Sequence, residues 1–267
     1  CSRCTIVTRL PSHVDAAAAP IPPSLSERRL TPERMDDPAL DPDEHRRALD
    51  GLARINRLSG TVGTLWPELL RAGRKARSEG RTLRVLDVAC GGGDVAVGLS
   101  MRARKADLPV RVEGCDLSPV ALDRAVKLSQ TRGVDCRFFA CDAVHDDPPA
   151  GYDAVVCSLF LHHLTAAQAQ TLLKKMSRTA GLVLISDLVR SRLAWAMTWL
   201  GTRLLSRSAI VHTDGPRSVE GAFTIREMRS QLEDANMHAA TIERVWPMRM
   251  LITWRGEGSR GQKGSSP

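Results

Sequence analysis

The sequence predicts an α/β fold in which a largely parallel sheet is covered by helices on both faces, and three observations carry that expectation. Short β-branched runs alternate with helical patterns from about residue 84 to residue 187, as strand–helix–strand units require. The first run, Val85-Leu86-Asp87-Val88, leads directly into Ala89-Cys90-Gly91-Gly92-Gly93-Asp94. The second closes on Gly114-Cys115-Asp116-Leu117-Ser118. Strand, glycine turn, helix, strand and terminal carboxylate, in that order, make one half of a doubly wound sheet.

The elements follow in chain order. Residues 1–30, with Pro11, Pro20, Pro22 and Pro23 and no periodicity, read as a disordered leader, and a chain opening on Cys1 reads as trimmed. Ala48, Leu49, Leu52, Ile55 and Leu58 recur at helical spacing, and a second helix runs from Thr61 through Leu65, Trp66, Leu69 and Leu70. Residues 31–80 therefore form an N-terminal helical segment. Strands are predicted over 84–89, 110–115, 136–140, 153–158 and 181–187, with helices from 93, over 119–131 and over 166–178. Ser118-Pro119 is a helix start, with serine as cap and proline at the first helical position. Thr224-Ile225-Arg226-Glu227 is a capping box opening a helix to about Ala235. Strands over 240–245 and 248–254, joined by Trp246-Pro247, close the domain, and the Gly/Ser-rich tail 256–267 reads as disordered.

The chain has 267 residues and a formal charge of +8, enough for one substantial core with small additions. Arginine far outnumbers lysine and alanine is abundant, a compositional bias that weakens the charge as a sign of an anionic partner. The cluster Arg71, Arg74, Lys75, Arg77, Arg81, Arg84 lacks the interleaved aromatics of a nucleic-acid surface, so it reads as a solvated face and no nucleic acid is expected. Seven cysteines, most in or beside strands, point to a reduced, cytoplasmic chain. Cys1-Ser2-Arg3-Cys4 has no second pair and is not expected to hold a metal. No run reaches the roughly 18 apolar residues of a membrane span, and no secretory signal is evident.

Glycines at 91, 92 and 93 remove Cβ atoms where a ligand approaches the backbone, and the next helix offers unpaired N–H groups. Asp116, about 20 residues on, is placed to accept from both hydroxyls of a ribose. An adenosine cofactor follows, either a dinucleotide such as NAD or S-adenosylmethionine. Asp87 decides between them. A carboxylate there opposes a pyrophosphate but favours a sulfonium and an ammonium, so S-adenosylmethionine is the expected cofactor.

At these residues the chain resembles the class I S-adenosylmethionine-dependent methyltransferases, whose first motif, acidic-x-Gly-x-Gly-x-Gly, is met by Asp87, Gly91 and Gly93. Ala89 stands where the first glycine belongs and is expected to keep a negative φ. The resemblance implies a Rossmann-like seven-stranded doubly wound sheet, mostly parallel with the last strand antiparallel, over residues 81–255, with N-terminal helices as a lid and a helical cap insertion at 188–222. Met35-Asp36-Asp37 and Arg54 are the lid candidates. Phe138-Phe139-Ala140-Cys141-Asp142-Ala143 looks like the third strand and adenine-reading turn, and Tyr152 to Ser158 like the fourth strand. The implied cofactor residues are Asp87, Ala89, Cys90, Gly91, Gly93, Asp116, Leu117, Cys141, Asp142, Ala143 and Ser158. Asp142 would accept from the adenine amino group beside the Ala143 N–H, unless it serves only an Asx-turn.

Methyl transfer from a sulfonium needs alignment, a dry pocket and sometimes a base. Leu161-His162-His163-Leu164, after the fourth strand, resembles a His-His signature of small-molecule and quinone methyltransferases, including the ubiquinone/menaquinone family. His163 or His162 could take a phenol proton, and both could equally be structural. His212 or Asp214, read as lying in a turn over 211–216, is the alternative base. Asp142, Asp146, Asp147 and Asp187 match no ligand motif, so no metal is expected. The apolar run around Trp195 and Trp199 suits an aromatic or polyketide-like acceptor methylated on oxygen or carbon, and the arginines of 188–207 permit transient contact with an anionic membrane. The alternatives are a quinone-precursor C-methyltransferase at the membrane surface, an RNA methyltransferase, and a non-catalytic S-adenosylmethionine-binding protein. Oligomeric state and acceptor identity leave no mark in the sequence.

Overall fold

Seven short, β-branched runs pair into one sheet in the computed structural model, which describes residues 24–37 and 39–256. The strands are β1 (Leu83–Val88), β2 (Val110–Asp116), β3 (Arg137–Ala140), β4 (Ala154–Ser158), β5 (Leu182–Leu188), β6 (Thr241–Val245) and β7 (Arg249–Arg255), ordered β3-β2-β1-β4-β5-β7-β6. β1 to β5 are parallel, and β7 runs antiparallel between β5 and β6. Each expected strand is met to within a residue or two. Strand order reverses between β1 and β4, which opens a crevice at their carboxyl ends, the place where ligands bind in such sheets.

Period-two alternation sorts the core into two layers. Along β1, Leu86 and Val88 face one layer and Leu83 and Val85 the other; β5 repeats this with Val183 and Ile185 against Leu182 and Leu184. The first layer is filled from α5 (Ala166–Thr179) and α8 (Ile225–Asp234) by Leu172, Leu173, Met176 and Met228. The second is filled from α2 (Thr61–Ser78) and α3 (Asp94–Lys105) by Leu65, Leu69, Val95 and Leu99. All eight of these helical side chains are at most 4% exposed, each contributing about 2 kcal/mol by burial. Local chemistry sets the helix ends. Ser118 accepts from the Ala121 amide at the start of α4 (Pro119–Arg132), and capping boxes at Thr165/Gln168 and Thr224/Glu227 open α5 and α8. Asp41 caps α1 (Pro42–Leu58) with Pro42 in the first turn. α2 continues past Leu70 to Ser78, its buried face extended by Gly73 and Ala76 and its basic last turn complementing the helix dipole.

Two helices, α6 (Arg192–Leu205) and α7 (Ala209–Gly221), occupy the cap segment between β5 and α8. The stretch 211–216, expected as a turn, lies inside α7, with Pro216 in the helix. Trp195 is buried against Val219, Leu25 and Leu188, its indole N–H donating to Glu220, so it packs the cap onto the body.

The leader boundary expected at residue 30 moves. Residues 24–30 are docked as part of a strap that runs to Asp37 across α7. Arg28 donates from Nε to the Gly221 carbonyl at 2.6 Å and stacks 3.7 Å over Phe223, while Arg190 holds the Leu25 carbonyl and pairs with Glu227. Asp214, 4% exposed, accepts the Arg34 and Met35 amides at 3.1 and 3.0 Å. The disorder expected of residues 1–23 and 257–267, and the Cys1/Cys4 pair, lie outside the described residues. Among the described residues no helix is long and apolar enough to cross a membrane.

Removing the Asp214 carboxylate takes the acceptor from two part-buried amides, those of Arg34 and Met35. Asp214→Ala is expected to cost about 2 kcal/mol and to speed tryptic cleavage after Arg28, Arg29 or Arg34. Cleavage at the rate of the parent chain would show that the strap is held without Asp214.

Candidate active site

The glycine turn after β1 carries two residues in the left-handed region beside a third that was not expected there. Gly91 and Gly93 have φ of 51° and 78°, and a Cβ on Gly93 would lie 2.7 Å from Ala125 Cβ, so only glycine fits. Ala89 has φ 53°, against the expected negative value. The hydrogen bond from Cys90 N to Cys115 O, 2.9 Å, ties the turn to β2 and fixes the backbone reversal that Ala89 must make. That conformation costs an alanine about 1 kcal/mol.

Asp116 closes the turn from the other side. Its Oδ2 accepts the Gly91 amide at 2.8 Å and its Oδ1 the Ser118 amide at 2.9 Å. Burial raises its carboxyl, opposed by those amides, the Leu117 amide and the charge of His45. A carboxylate offers about four acceptor positions, so capacity for ribose hydroxyls remains. Leu117 is 67% exposed beside it, an apolar side chain left uncovered where an adenine face would lie. Asp87 is fully buried with neither oxygen in good hydrogen-bond geometry, and burial pushes its carboxyl up to about 8, opposed by the nearby Ala96 amide and helped by Asp116 and Asp94. An orphaned buried acid at this place fits a site that receives positive charge. Together these features fit S-adenosylmethionine: Asp116 and Leu117 would hold adenosine, and the Asp87 field would favour the sulfonium and ammonium.

Other cofactor candidates take more structural duties. Asp142 accepts the Val144 and His145 amides and the His145 ring, which makes it an Asx-type turn presenting Ala143. His145 also lowers its carboxyl below the usual range. Cys141 is buried, and the Cys90 sulfur packs where a Gly114 Cβ would clash. Ser158 ends β4 half-buried. Sequence reasoning missed Arg124, which donates to the Gly92 carbonyl at 2.8 Å and pairs with Asp94 and, at 3.0 Å, with Asp50 of α1. This ion pair ties the N-terminal helix α1 to the glycine turn. Arg54 donates to the Leu205 carbonyl at the end of α6.

Across the crevice, Asp187, the next-to-last residue of β5, is 1% exposed. Its carboxylate accepts the Phe160, Leu161 and Leu188 amides and the His162 Nδ1 at 2.6 Å. Burial alone would raise this carboxyl, but the His162 ring, the Leu188 amide and the charge of His163 hold it below the usual range. Leu159, at φ 54°, starts the 3-10 turn Leu161–His163 that presents both histidines. Bonding to Asp187 leaves His162 Nε2 4.0 Å from Glu33 Oε1, which lies 3.9 Å from His163 Nδ1. Glu33 also accepts the Ser218 hydroxyl at 2.6 Å. These three donor groups, within 4.8 Å of one another, meet only because the strap docks. Glu33 lies about 130 residues upstream in a proline-flanked stretch with no periodicity, so no sequence signal marked it. The His162 side chain is 4% exposed and that of His163 22%. His212 is not with them: its Nε2 bonds the Ser206 carbonyl at 2.8 Å. Asp214 is spent on the strap amides.

Comparison with known proteins bears on the family and the fold. The family described as methyltransferase domain matches residues 85–180. The ubiquinone biosynthesis O-methyltransferase of Xanthomonas oryzae pv. oryzae is 29% identical over 181 residues, covering 65% of this chain and 72% of that relative. Its namesake in Burkholderia vietnamiensis is 30% identical over 127 residues, covering 46% and 52%. Among solved structures, an O-methyltransferase from neocarzinostatin biosynthesis (NcsB1), in complex with S-adenosylmethionine and 2-hydroxy-5-methyl naphthoic acid, superposes with a TM-score of 0.58 at 17% identity over 81% of this chain and 59% of that one. Magnesium protoporphyrin IX methyltransferase of Synechocystis PCC 6803, with bound S-adenosylhomocysteine, gives 0.50 at 17% identity over 84% and 91%. The structural likenesses show the fold.

Two variants check the turn. Ala89→Gly relieves the left-handed alanine and is expected to stabilise the chain by about 1 kcal/mol, seen as a higher Tm; no change would mean the turn carries no strain. Asp87 has a raised folded carboxyl, so its folded state keeps a proton that the unfolded state releases. Its contribution to stability therefore falls as pH rises from 3.8 to about 8. The Tm gain of Asp87→Asn over the parent should widen through that window and close below it. Parallel Tm profiles would remove Asp87 as the orphaned acid.

Proposed function

We propose that this chain, which belongs to the class I S-adenosylmethionine-dependent methyltransferases, methylates a hydroxyl oxygen on a small acceptor with an apolar, aromatic body. One observation carries the proposal: the Glu33–His162–His163 group, braced by Asp187, stands at the carboxyl ends of β4 and β5, across the crevice from Asp116 and the glycine turn. Ligands meet at that switch point in doubly wound sheets. The names of the relatives, O-methyltransferases acting on small molecules, support the same chemistry.

When bound, S-adenosylmethionine supplies an electrophilic methyl group for in-line displacement by the acceptor oxygen. The protein's part is to align that oxygen and take its proton. His163, the more exposed of the two rings, accepts the hydroxyl proton. Glu33, 3.9 Å from Nδ1, stabilises the imidazolium that forms. His162 stacks 4.3 Å from His163, centroid to centroid, and its own bond to Asp187 fixes its tautomer and ring plane. Phe160, 6.2 Å from the His163 ring, supplies an apolar wall for an aromatic acceptor. Oxygen is favoured over carbon because a histidine base with a carboxylate 3.9 Å away suits a hydroxyl that must lose its proton as it attacks.

RNA as the acceptor finds no support in the basic run of α2 and β1. Arg71, Arg77 and Arg81 pair with Glu68, Asp107 and Asp153 at 2.6 to 3.0 Å, so much of that charge is compensated on the protein itself.

The test is turnover against a panel of phenols together with calorimetric affinity for S-adenosylhomocysteine. His163→Ala is expected to lower kcat by about 100-fold or more with cofactor affinity unchanged, and Glu33→Gln by about tenfold with the acid limb of the pH–rate profile displaced. Unimpaired kcat in His163→Ala would return both histidines to structural duty.

A further inference from the structure

Among the described residues, four guanidinium groups from three separate elements surround one cleft on the cap side of the molecule. The cleft, about 370 Å³, is lined by Arg34 from the strap, Arg47 and Arg54 of α1, and Arg207 beside the first turn of α7, with Glu44 and Asp50 as the acids. Asp50 is already committed to Arg124 at 3.0 Å. None of the four arginines has a carboxylate partner among the ion pairs of the described residues, whereas those of α2 are largely paired. All four are exposed. The α7 amino terminus adds partial positive charge from a helix whose cap residue, Ser208, makes no side-chain cap bond. Such a concavity has the size of a small-molecule or headgroup site and the chemistry of an oxyanion site.

The neighbouring helix supplies the second half of the surface. α6 holds no acidic residue over Arg192–Leu205, and Leu193, Leu200 and Leu204 fall on one helical face at spacings of 7 and 4, exposed by 57%, 52% and 73%. Arg192 and Arg203 flank that face, Arg203 stacking 4.1 Å from Trp199. The stripe ends at Leu204, three residues before Arg207, and the Arg54–Leu205 bond holds the cleft against it. Exposed leucines beside uncompensated arginines are complementary to one partner surface, an apolar layer beneath a plane of phosphates.

We propose that α6 and the arginine cleft dock the protein on anionic phospholipid bilayers, the leucine stripe entering the headgroup boundary and the cleft seating a lipid phosphate. The apolar stripe alone would fit a second copy of the chain, but the four arginines would then face like charge. The docking surface shares no residue with the Glu33, His162 and His163 group, so it stands or falls independently of the acceptor chemistry.

The experiment is co-sedimentation of the full chain with extruded vesicles of phosphatidylcholine alone or mixed with phosphatidylglycerol, between about 0.1 M and about 1 M salt, where the Debye length falls from about 10 Å to about 3 Å. Binding is expected only to the phosphatidylglycerol vesicles and at least tenfold weaker at the higher salt. The pair Arg47→Glu and Arg207→Glu should abolish it, and serine at Leu193, Leu200 and Leu204 should weaken it at least tenfold. S-adenosylhomocysteine affinity of these variants should match the parent, which shows that they are folded. Competition by free phosphate without vesicle binding would reassign the cleft to a soluble phosphate ligand and overturn the proposal. So would equal binding to both vesicle types, or a leucine variant that only converts a dimer to a monomer in sedimentation velocity.

Discussion

The carboxylate of Asp187 is the constraint around which the acceptor side of the crevice is assembled. A fully buried acid needs several donors, and this one receives three backbone amides and an imidazole. Two of those amides belong to the turn after β4, so satisfying Asp187 dictates the path of that turn. The path in turn places Leu159 in the left-handed region and lifts His162 and His163 to the strand ends. The strap then closes over them, with Arg28 donating to the carbonyls of Leu161 and His162. Burial lowers the Arg28 guanidinium to about 10, and the Asp187 charge acts against that fall. One acid therefore links strand, turn, histidines and strap.

The two sides of the crevice handle their acids in opposite ways. Asp187 is saturated with donors and stays ionised, which gives His162 a single tautomer. Asp87 has no donor in hydrogen-bond geometry and is driven toward its neutral form by burial. An acid of the second kind destabilises the chain when ionised and would gain from positive charge beside it. Asp116 lies between these extremes, half engaged by the Gly91 and Ser118 amides.

The strap and α1 are joined to the body by several polar contacts, those of Arg28, Arg54 and Arg190 among them. Arg124 ties α1 to the glycine turn through Asp50, and Asp214 ties the strap to α7. Between them the apolar contact is small, Ala48 packing with Ile210 and Val211 beside Met35, Leu52 and Ile55. A segment held by few apolar contacts opens at lower free energy than the sheet.

The sheet, its connections, the glycine turn and Asp116 were legible in the sequence because each is encoded within a few residues. Alternation in β1 and β5, the capping boxes at Thr165 and Thr224, and Ser118-Pro119 are short-range signals. The histidine pair was legible as a motif, though not which ring would be locked. Other features required the tertiary structure. The sign of φ at Ala89 follows from the bond to Cys115, and the burial of Asp87 from the helix laid over β1. His212 left the site because α7 runs straight through 211–216. Glu33 joined it because Asp214, some 180 residues later, holds the strap in place. Periodicity and caps report on backbone within one or two turns, whereas these residues meet through contacts between elements far apart in the chain. Their free energy exists only once the layers have packed.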